Sequence, residues 1–167
     1  MTLDFRHPKI KFSVYPLTLR VANDFVVKYH RHNKKARGHR FSLGAMWGDK
    51  LVGVAIVGRP IARMIDDGLT AEVTRVCVPE TAPKNTISYL YGKIWRVWQQ
   101  MGGKRMVTYT LKEESGSTLK AVGWKMIGET DKVKKGKGWT NRPGREWQEV
   151  SDKIKKIKAM EAEPSKR

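Results

Sequence analysis

The residues best suited to chemistry lie within residues 70–101, where the sequence predicts a strand, a loop and a helix. The loop ends in Lys84, Asn85 and Thr86, and the last two are good helix N-caps. The first turn of a helix presents free backbone N–H groups at the positive end of its dipole, and Lys84 adds a cation beside it. The sequence therefore predicts a phosphate-binding site at the start of this helix.

The elements on both sides of this loop have clear patterns. The strand is predicted over residues 71–78 because β-branched residues dominate it and Pro79 follows. Strict alternation divides its side chains between two faces: Glu72, Thr74, Val76 and Val78 on one, and Ala71, Val73, Arg75 and Cys77 on the other. The helix has apolar residues at helical spacing up to Trp98, and Gly102 follows its end.

A second group of chemically capable residues lies in the polar, basic stretch 30–40, which has no regular period. His30 and His32 form a His-x-His pair that suits a metal, but no third ligand follows at fixed spacing and the many cations oppose one. The preferred interpretation is a substrate-facing loop in which Tyr29, His30 and His32 contact a base and phosphates. The basic, glycine-rich stretch 132–145, with Lys135 and Trp139, is expected to form a second such wall, although Trp139 also suits a loop anchor.

The formal net charge of +18 favours a polyanionic partner. Residues 151–167 contribute only +3 of it, so the charge belongs to the domain. Nucleic acid is the expected partner, and acidic cofactors such as coenzyme A are a second possibility. A soluble basic protein without a specific anionic partner is the plain alternative. The single cysteine, Cys77, excludes a disulfide framework, and no apolar run predicts a membrane span or a secretory signal, so a cytoplasmic location is expected.

The remaining periodicities predict one α/β (α+β) domain over residues 1–150, followed by a basic helix and tail over 151–167. The expected sheet is mixed and mostly antiparallel, with about seven strands and helices on both faces. The stretch 59–68 is a polar connection. The predicted strands are residues 9–14, 41–47, 51–57, 71–78, 105–110, 124–127 and 146–150, and the predicted helices are residues 18–29, 85–101, 115–122 and 151–160.

Two segments resemble the GNAT acyltransferase superfamily. One is the strand, loop and helix of residues 70–101, and the other is the strand, short helix and strand of residues 107–128, which passes through Gly123-Trp124. The run from Pro83 to Ser88, P-K-N-T-I-S, is similar to the P-[KR]-N-T-x-S stretch of the small phage-associated branch that includes Mom-type DNA modification proteins. The resemblance covers roughly residues 8–150 and implies a phage or prophage protein that acts in the cytoplasm of a bacterial host.

The resemblance implies acetyl-CoA or another acyl-CoA as the acyl donor. Most GNAT proteins hold the CoA pyrophosphate with a Gln/Arg-x-x-Gly-x-Gly/Ala loop, whereas residues 79–88 contain no glycine. The Mom-type branch shares this departure. If CoA binds here, side chains and the helix N-terminus must replace the glycine loop, and the expected set is Lys84, Asn85, Thr86 and Ser88.

The resemblance also implies where the reaction takes place. In such folds the central strand separates from its neighbour, and the pantetheine arm pairs with the exposed edge, here Val76, Cys77 and Val78. The implied base is Glu72, with a salt bridge to Arg75 or a lysine as its structural alternative. The implied acid is Tyr109 or Ser117, and Tyr109 also suits an ordinary core position. Arg75 is expected either to hold an anionic group of the substrate or to form a structural ion pair.

Three functions follow from these observations. The favoured one is an N-acyltransferase that moves an acyl or aminoacyl group to an amine, on a nucleic-acid base in the manner of Mom-type DNA modification. The second is an acetyl-CoA-dependent N-acetyltransferase of a small molecule or a protein. The third is a non-enzymatic, basic nucleic-acid-binding module on a degenerate GNAT scaffold. The sequence leaves the oligomeric state open, a homodimer included.

Overall fold

A computed structural model describes residues 11–29, 34–111, 115–130 and 155–162 of the chain. These residues form seven strands and three α-helices, with a short 3₁₀ helix at Arg63–Ile65. In chain order the elements are β1 (Phe12–Leu17), α1 (Leu19–Tyr29), β2 (Phe41–Trp47), β3 (Lys50–Gly58), β4 (Thr70–Cys77), α2 (Thr86–Gln100), β5 (Arg105–Leu111), α3 (Ser117–Ala121), β6 (Lys125–Glu129) and β7 (Lys155–Glu161).

The strands form one sheet in the order β1-β2-β3-β4-β5-β7-β6. Neighbouring strands run antiparallel, except that β4 and β5 are parallel. A parallel pair needs a crossover, and α2 provides it. The predicted mixed, mostly antiparallel sheet of about seven strands is therefore confirmed.

The helices cover opposite faces of the sheet, which creates two apolar cores. Residues of α1 such as Phe25 and Val26 pack with Ile56 of β3 and Cys77 of β4. On the other face, α2 and α3 pack over β2 to β5 through a larger cluster that includes Leu90, Ile94, Trp98 and Leu119. Because each strand alternates, one sheet supplies both cores.

The alternation of β4 differs from the prediction because a β-bulge interrupts it. Val57 pairs with Val73 and Ile56 pairs with Arg75, so Thr74 is the extra residue. The hydroxyl of Thr74 donates a hydrogen bond to the Ile56 carbonyl, 3.2 Å away. The bulge reverses the alternation: Glu72, Arg75 and Cys77 share the α1 face, while Val73, Val76 and Val78 pack on the α2 side.

The first strand also differs from the prediction. Pro16 was expected to introduce a helix after a strand ending at residue 14, but β1 continues to Leu17 and α1 begins at Leu19. Among the described strands, β1 pairs only with β2 and so forms an edge of the sheet. An edge strand tolerates proline because one side of it makes no ladder hydrogen bonds.

The predicted helix at residues 151–160 is wrong where the structure describes it. Lys155–Glu161 is strand β7, which lies between β5 and β6 and pairs with both. Its Ala159 is 3% exposed, so this segment is part of the sheet and its core rather than a peripheral helix. The strand predicted over 146–150 lies outside the described residues, as does the stretch 131–154 around it. No helix in the described parts of the chain is long and apolar enough to cross a membrane.

Candidate active site

Strands β4 and β5 separate part-way along the sheet. They pair from Thr70 to Glu72 on β4 and from Arg105 to Val107 on β5. The Thr108 hydroxyl still reaches the Val73 carbonyl, at 3.4 Å, and no further pairing follows although both strands continue. The result is a wedge-shaped opening whose narrow end is at Glu72. An unpaired strand edge in such an opening offers N–H and C=O groups to an extended ligand.

Glu72 lies at the narrow end of this opening and is 3% exposed. Its Oε2 accepts a hydrogen bond from the backbone N–H of Ile61, at 2.8 Å, in the connection between β3 and β4. A buried carboxylate must have such partners because an uncompensated charge is costly in the interior. The bond fixes the orientation of the carboxylate and ties the β3–β4 connection to the site.

Tyr109 stands two residues after Val107, the β5 partner of Glu72, and therefore on the same face of the sheet. Burial raises the pKa of Tyr109, and the charge of Glu72 raises it further. The phenol accordingly keeps its proton at neutral pH and serves as a hydrogen-bond or proton donor. The structure thus brings the predicted base and one predicted acid together.

Arg75 joins these two groups on the α1 face, but it contacts protein carbonyls. Its Nε donates to the Lys34 carbonyl at 3.0 Å and its Nη1 to the Thr74 carbonyl at 2.6 Å. Burial lowers the pKa of Arg75, while the charge of Glu72 opposes that shift. The guanidinium therefore holds the segment after α1 against β4 and balances the nearby carboxylate.

This segment, residues 34–40, is a basic wall beside the opening, and buried hydrogen bonds fix it. Asn23 of α1 donates to the Ala36 carbonyl at 2.9 Å and accepts from the Ala36 amide at 2.7 Å. The exposed side chains between these anchors include Lys34, Lys35 and Arg37. His39 contacts the Ser42 hydroxyl at 2.7 Å.

At the wide end of the opening, the loop from β4 to α2 is a rigid pair of turns. The amide of Ala82 bonds to the Pro79 carbonyl, and the amide of Thr86 bonds to the Pro83 carbonyl. Asn85 has φ 68°, which makes it the non-glycine residue with positive φ among those described. Asparagine tolerates this left-handed conformation better than most residues. Asn85 therefore performs the conformational task for which a glycine would ordinarily be chosen.

The predicted phosphate contacts divide between this loop's surface and its interior. Lys84 and Asn85 are exposed, Ser88 is half-buried, and the Asn85 side chain makes no capping hydrogen bond. Thr86 is 1% exposed, and its hydroxyl donates to the Pro83 carbonyl at 2.6 Å. The prediction that the Thr86 side chain contacts a ligand is therefore corrected: this hydroxyl closes the turn.

The predicted edge at Val76, Cys77 and Val78 lies on the side of β4 that faces the opening. Val76 and Val78 pack their side chains against the larger core, so only their backbone groups remain for a ligand. Cys77 is 3% exposed, and burial raises its thiol pKa to about 11. A neutral, buried thiol is a poor nucleophile, so Cys77 contributes an apolar contact and its backbone.

Ser117, the other predicted acid, begins α3 and is exposed. Because Leu119 of α3 packs into the α2-side core, Ser117 lies on the face opposite Glu72 and Tyr109. The sequence prediction missed Lys158 of β7, which is 6% exposed and whose Nζ contacts Gly116, the residue before Ser117. The sequence pattern predicts a peripheral helix for this segment, in which Lys158 would be exposed; the alternation of lysines with Ile157 and Ala159 fits a strand as well but does not exclude the helix.

Two further buried polar atoms are present in this part of the fold. The Thr110 hydroxyl of β5, beyond the point where β4 leaves, and the Trp124 indole N–H have no hydrogen-bond partner within the described structure. Buried polar groups normally have partners, so such atoms mark places where a ligand or water completes the bonding. Only the Thr110 hydroxyl lies on a strand that borders the opening, because Trp124 belongs to the core that α2 and α3 cover.

The remaining predicted contacts are only partly described. Tyr29 is 43% exposed at the end of α1, where its ring packs on Phe25 and lies 5.1 Å from the Lys28 amine. His30, His32, Lys135 and Trp139 lie outside the described residues. Within the ranges that the structure does describe, no group of three or more histidine, cysteine or acidic side chains is arranged to hold a metal ion.

Comparison with known families decides the relationship, because the model of the Mom protein family matches residues 11–166. The chain belongs to the Mom protein family. That match extends over the opening, the basic wall and strand β7. The resemblance found in the P-K-N-T-I-S run therefore reflects membership at the level of the whole domain. A comparison with curated proteins finds no match to the chain.

Solved structures show that this Mom-family chain has the fold of GNAT acetyltransferases. The IAA acetyltransferase from Bacillus cereus shares 12% identity at a TM-score of 0.64, over 91% of this chain and 100% of the other. The ribosomal-protein-S18-alanine N-acetyltransferase from Escherichia coli shares 11% at 0.62, over 90% and 94%. A Bacillus subtilis acetyltransferase in complex with CoA shares 12% at 0.62, over 92% and 99%. At such identities the likeness concerns the fold alone.

Proposed function

We propose that the protein is an N-acyltransferase that moves an acyl or aminoacyl group from a CoA thioester to an amine on a nucleic-acid base, in DNA. The observation that carries the proposal is the buried Glu72 carboxylate beside the protonated Tyr109 phenol, at the point where β4 and β5 separate. Membership of the Mom family and the fold of GNAT acetyltransferases support it.

The residues at the opening fit an acyl-CoA. The free edge of β4 at residues 76–78 suits the amide groups of a pantetheine arm, and the buried Thr110 hydroxyl of strand β5 has no hydrogen-bond partner among the described residues. At the wide end, Lys84, Asn85 and the N-terminus of the 15-residue helix α2 suit phosphate groups. The CoA in the Bacillus subtilis relative supports this choice of donor.

The chemistry follows from the protonation of the two site residues. When bound, the thioester supplies an electrophilic carbonyl carbon. Glu72 accepts the proton that the attacking amine loses as its nitrogen bonds to that carbon, directly or through one water. Tyr109 gives its proton to the sulfur as the carbon–sulfur bond breaks, and the amide of Val78 is the proposed donor to the developing oxyanion. Ser117, on the opposite face, is the alternative acid.

The basic wall supports a polyanionic acceptor. Lys34, Lys35 and Arg37 extend from a segment that is anchored to α1 through Asn23 and to β4 through Arg75. Cations on a fixed segment bind phosphates without a further ordering cost, and each phosphate contact releases counterions. Since Arg75 links this segment to the Glu72 side of the opening, a bound backbone would pass next to the proposed base.

Thermal shift measurements test the donor and the acceptor separately. A ligand at 100 times its dissociation constant adds about 2.7 kcal/mol, which raises the Tm of a domain of this size by roughly 5–11 °C. We expect such shifts with acetyl-CoA and, at low salt, with duplex DNA. A CoA shift without DNA binding at any salt would favour an N-acetyltransferase of a small molecule or protein. DNA binding without a CoA shift would favour a binding module or another donor.

The basic wall allows a matched test of DNA binding. Replacing Lys34, Lys35 and Arg37 by glutamine should weaken binding for all sequences and reduce the slope of log K against log salt by about one for each lost phosphate contact. The control replaces Lys50, Lys125 and Arg96, which are equally exposed but lie elsewhere on the sheet and α2. Equal losses in both variants would mean that the charge acts only as a diffuse field.

The reaction itself is tested with isotopically labelled acetyl-CoA and duplex DNA, followed by digestion to nucleosides and mass spectrometry. The expected product is a nucleoside heavier by the labelled acyl group. Label that is found on the protein or on added polyamines, with none on nucleosides, would replace the proposed acceptor.

A further inference from the structure

The connection between β3 and β4 presents two large apolar side chains to solvent. Ile61 is 70% exposed and Met64 is 100% exposed. The sequence prediction treated this stretch as a polar connection. Isolated exposed apolar residues are common, but removing an isoleucine or a methionine side chain from water is favourable. Two of them three residues apart, one mostly and the other fully exposed, therefore offer a gain in free energy to any partner that covers them.

The connection holds these side chains outward on a braced backbone. Asp66 forms ion pairs with Arg59 at 2.9 Å and with Arg40 at 3.8 Å. Asp67 accepts hydrogen bonds from the amides of Leu69 and Thr70, at 2.9 and 2.7 Å. Bonds at both the start and the end of the connection restrict its backbone. We call the segment from Ile61 to Met64, which these bonds hold in place, the projection.

The same projection is attached to the proposed catalytic base. The N–H that donates to Glu72 Oε2, at 2.8 Å, belongs to Ile61 itself. The Cα atom that carries the Ile61 side chain is therefore bonded directly to the nitrogen that contacts the carboxylate. A partner that covers Ile61 therefore binds the segment whose backbone holds the group that would deprotonate the acceptor.

The surroundings of the projection are cationic. The basic wall runs alongside it: the Arg40 amide bonds to the Val57 carbonyl at 2.7 Å, and Arg40 pairs with Asp66 just after the projection. Lys34, Lys35 and Arg37 are exposed on this wall. An apolar tip flanked by fixed cations matches a nucleic-acid duplex, in which a stacked apolar interior lies between two rows of phosphates.

We propose that Ile61 and Met64 form a wedge that enters the base stack of duplex DNA and fills the space left by the base that is extruded toward Glu72. This inference rests on the proposed function. An amine on a base cannot reach a buried carboxylate while the base is stacked in a duplex, so the base must leave the helix. Apolar side chains inserted at a base step offset the cost of unstacking the bases.

The test uses a set of duplexes in which the adenine analogue 2-aminopurine occupies each base position in turn. The fluorescence emission of 2-aminopurine rises when the base is unstacked. We expect saturating wild-type protein to raise the emission severalfold in at least one duplex. The double variant Ile61→Ala/Met64→Ala should bind DNA with less than about a tenfold loss and abolish the rise. The control is Met126→Ala/Ile127→Ala on the edge strand β6, which removes the same two residue types where they are about half exposed; it should keep the rise.

A second measurement separates a wedge from a merely structural role. In a duplex whose target base faces an abasic site, the base is already unpaired and less stacked, so extrusion costs less. Acyl transfer by the double variant should recover on this duplex toward the wild-type rate. A loss that this duplex does not rescue overturns the wedge.

The remaining outcomes are also decisive. A double variant that retains the full emission rise, or a wild type that acylates DNA without any rise, overturns the wedge and leaves the proposed function standing. Absence of DNA binding at every salt concentration overturns both. Binding of the wild type to anionic vesicles that the double variant loses would assign the projection to a membrane surface and so overturn the proposal as well.

Discussion

Substitution of Glu72 separates the catalytic role of this residue from its structural role, because two different replacements remove different things. Glu72→Gln keeps an oxygen that can accept the hydrogen bond from the Ile61 N–H, 2.8 Å from Oε2, but it cannot take a proton. Glu72→Ala removes both abilities. The contrast between these two variants therefore isolates the proton transfer.

The magnitudes follow from the environment of the carboxylate. Leaving the Ile61 N–H without its acceptor costs about 1–3 kcal/mol, and a domain of this size loses roughly 2–4 °C in Tm for each kcal/mol. Glu72→Ala should therefore lower the Tm by roughly 2–12 °C, while Glu72→Gln should lower it by no more than a few degrees. Loss of a general base should reduce turnover by about 10²–10⁴-fold in both variants, equivalent to about 3–5 kcal/mol.

The assay measures transfer of label from acetyl-CoA to DNA in single-turnover mode, together with thermal unfolding of the same preparations. Tyr109→Phe provides a control for the acid, since it removes the phenol proton and keeps the ring. Absorbance titration of tyrosine adds an independent readout: Glu72→Gln should lower the pKa of Tyr109, because the carboxylate charge contributes to raising it. Turnover by Glu72→Gln within about tenfold of the wild type would refute the proposed base. So would a Tm loss equal to that of Glu72→Ala, which would make the charge itself structural.

Three further outcomes are expected. Asn85→Ala should cost about 1–2 kcal/mol of unfolding free energy because alanine resists the positive φ, whereas Asn85→Gly should cost little; equal effects in urea titrations would contradict this. The raised thiol pKa keeps Cys77 protonated in the folded state between pH 9 and about 11, where the thiol of the unfolded chain ionises. The free energy of unfolding of the wild type should therefore fall by up to about 3 kcal/mol over that range through this group. In denaturant titrations the Cys77→Ala variant should show a correspondingly weaker dependence of stability on alkaline pH. Ala159→Glu buries an unpaired charge in β7 and should lower the free energy of unfolding by about 3 kcal/mol or more. The control Lys120→Glu, at an exposed position of α3, should change that free energy little. Comparable Tm values for the two variants would show that β7 is peripheral.

The sequence predicted the core elements well because their periodicities are strong. Strand β3 is almost wholly apolar and is buried on both faces, and α2 has an unbroken apolar stripe from Leu90 to Trp98. The parallel crossover from β4 to β5 through α2 follows from the same pattern. These elements determine where the opening lies, so its position was predictable.

The local geometry of the site was less predictable. The bulge at Thr74 has no signal in the sequence, since threonine and its valine neighbours favour strands in either register. It nevertheless decides which residues face Glu72. Without it, Arg75 and Cys77 would lie on the opposite side of the sheet. The closed turn at Thr86 was likewise hidden, because a threonine at a helix start suits either a ligand or its own backbone.

The predicted helix at residues 151–160 failed for a different reason. Its apolar residues fit a helical face and also fit alternation, so the pattern alone could not choose. The choice was made by pairing with β5 and β6, which is a tertiary contact. The burial of Lys158 illustrates this, because a lysine at such a position argues against a core strand in any reading of the sequence alone.

The place of β7 in the sheet affects how the protein is made. Strand β5, which carries Tyr109, has β7 as its antiparallel neighbour along its full length, although the 43 residues 112–154 separate the two in the chain. During synthesis, β5 therefore leaves the ribosome tunnel well before the strand that completes it, and its edge stays unpaired in the meantime. Pairing across such a separation closes a large loop and slows folding. We expect the nascent chain to depend on chaperones over this interval and to complete the opening beside Glu72 and Tyr109 only once β7 has been translated.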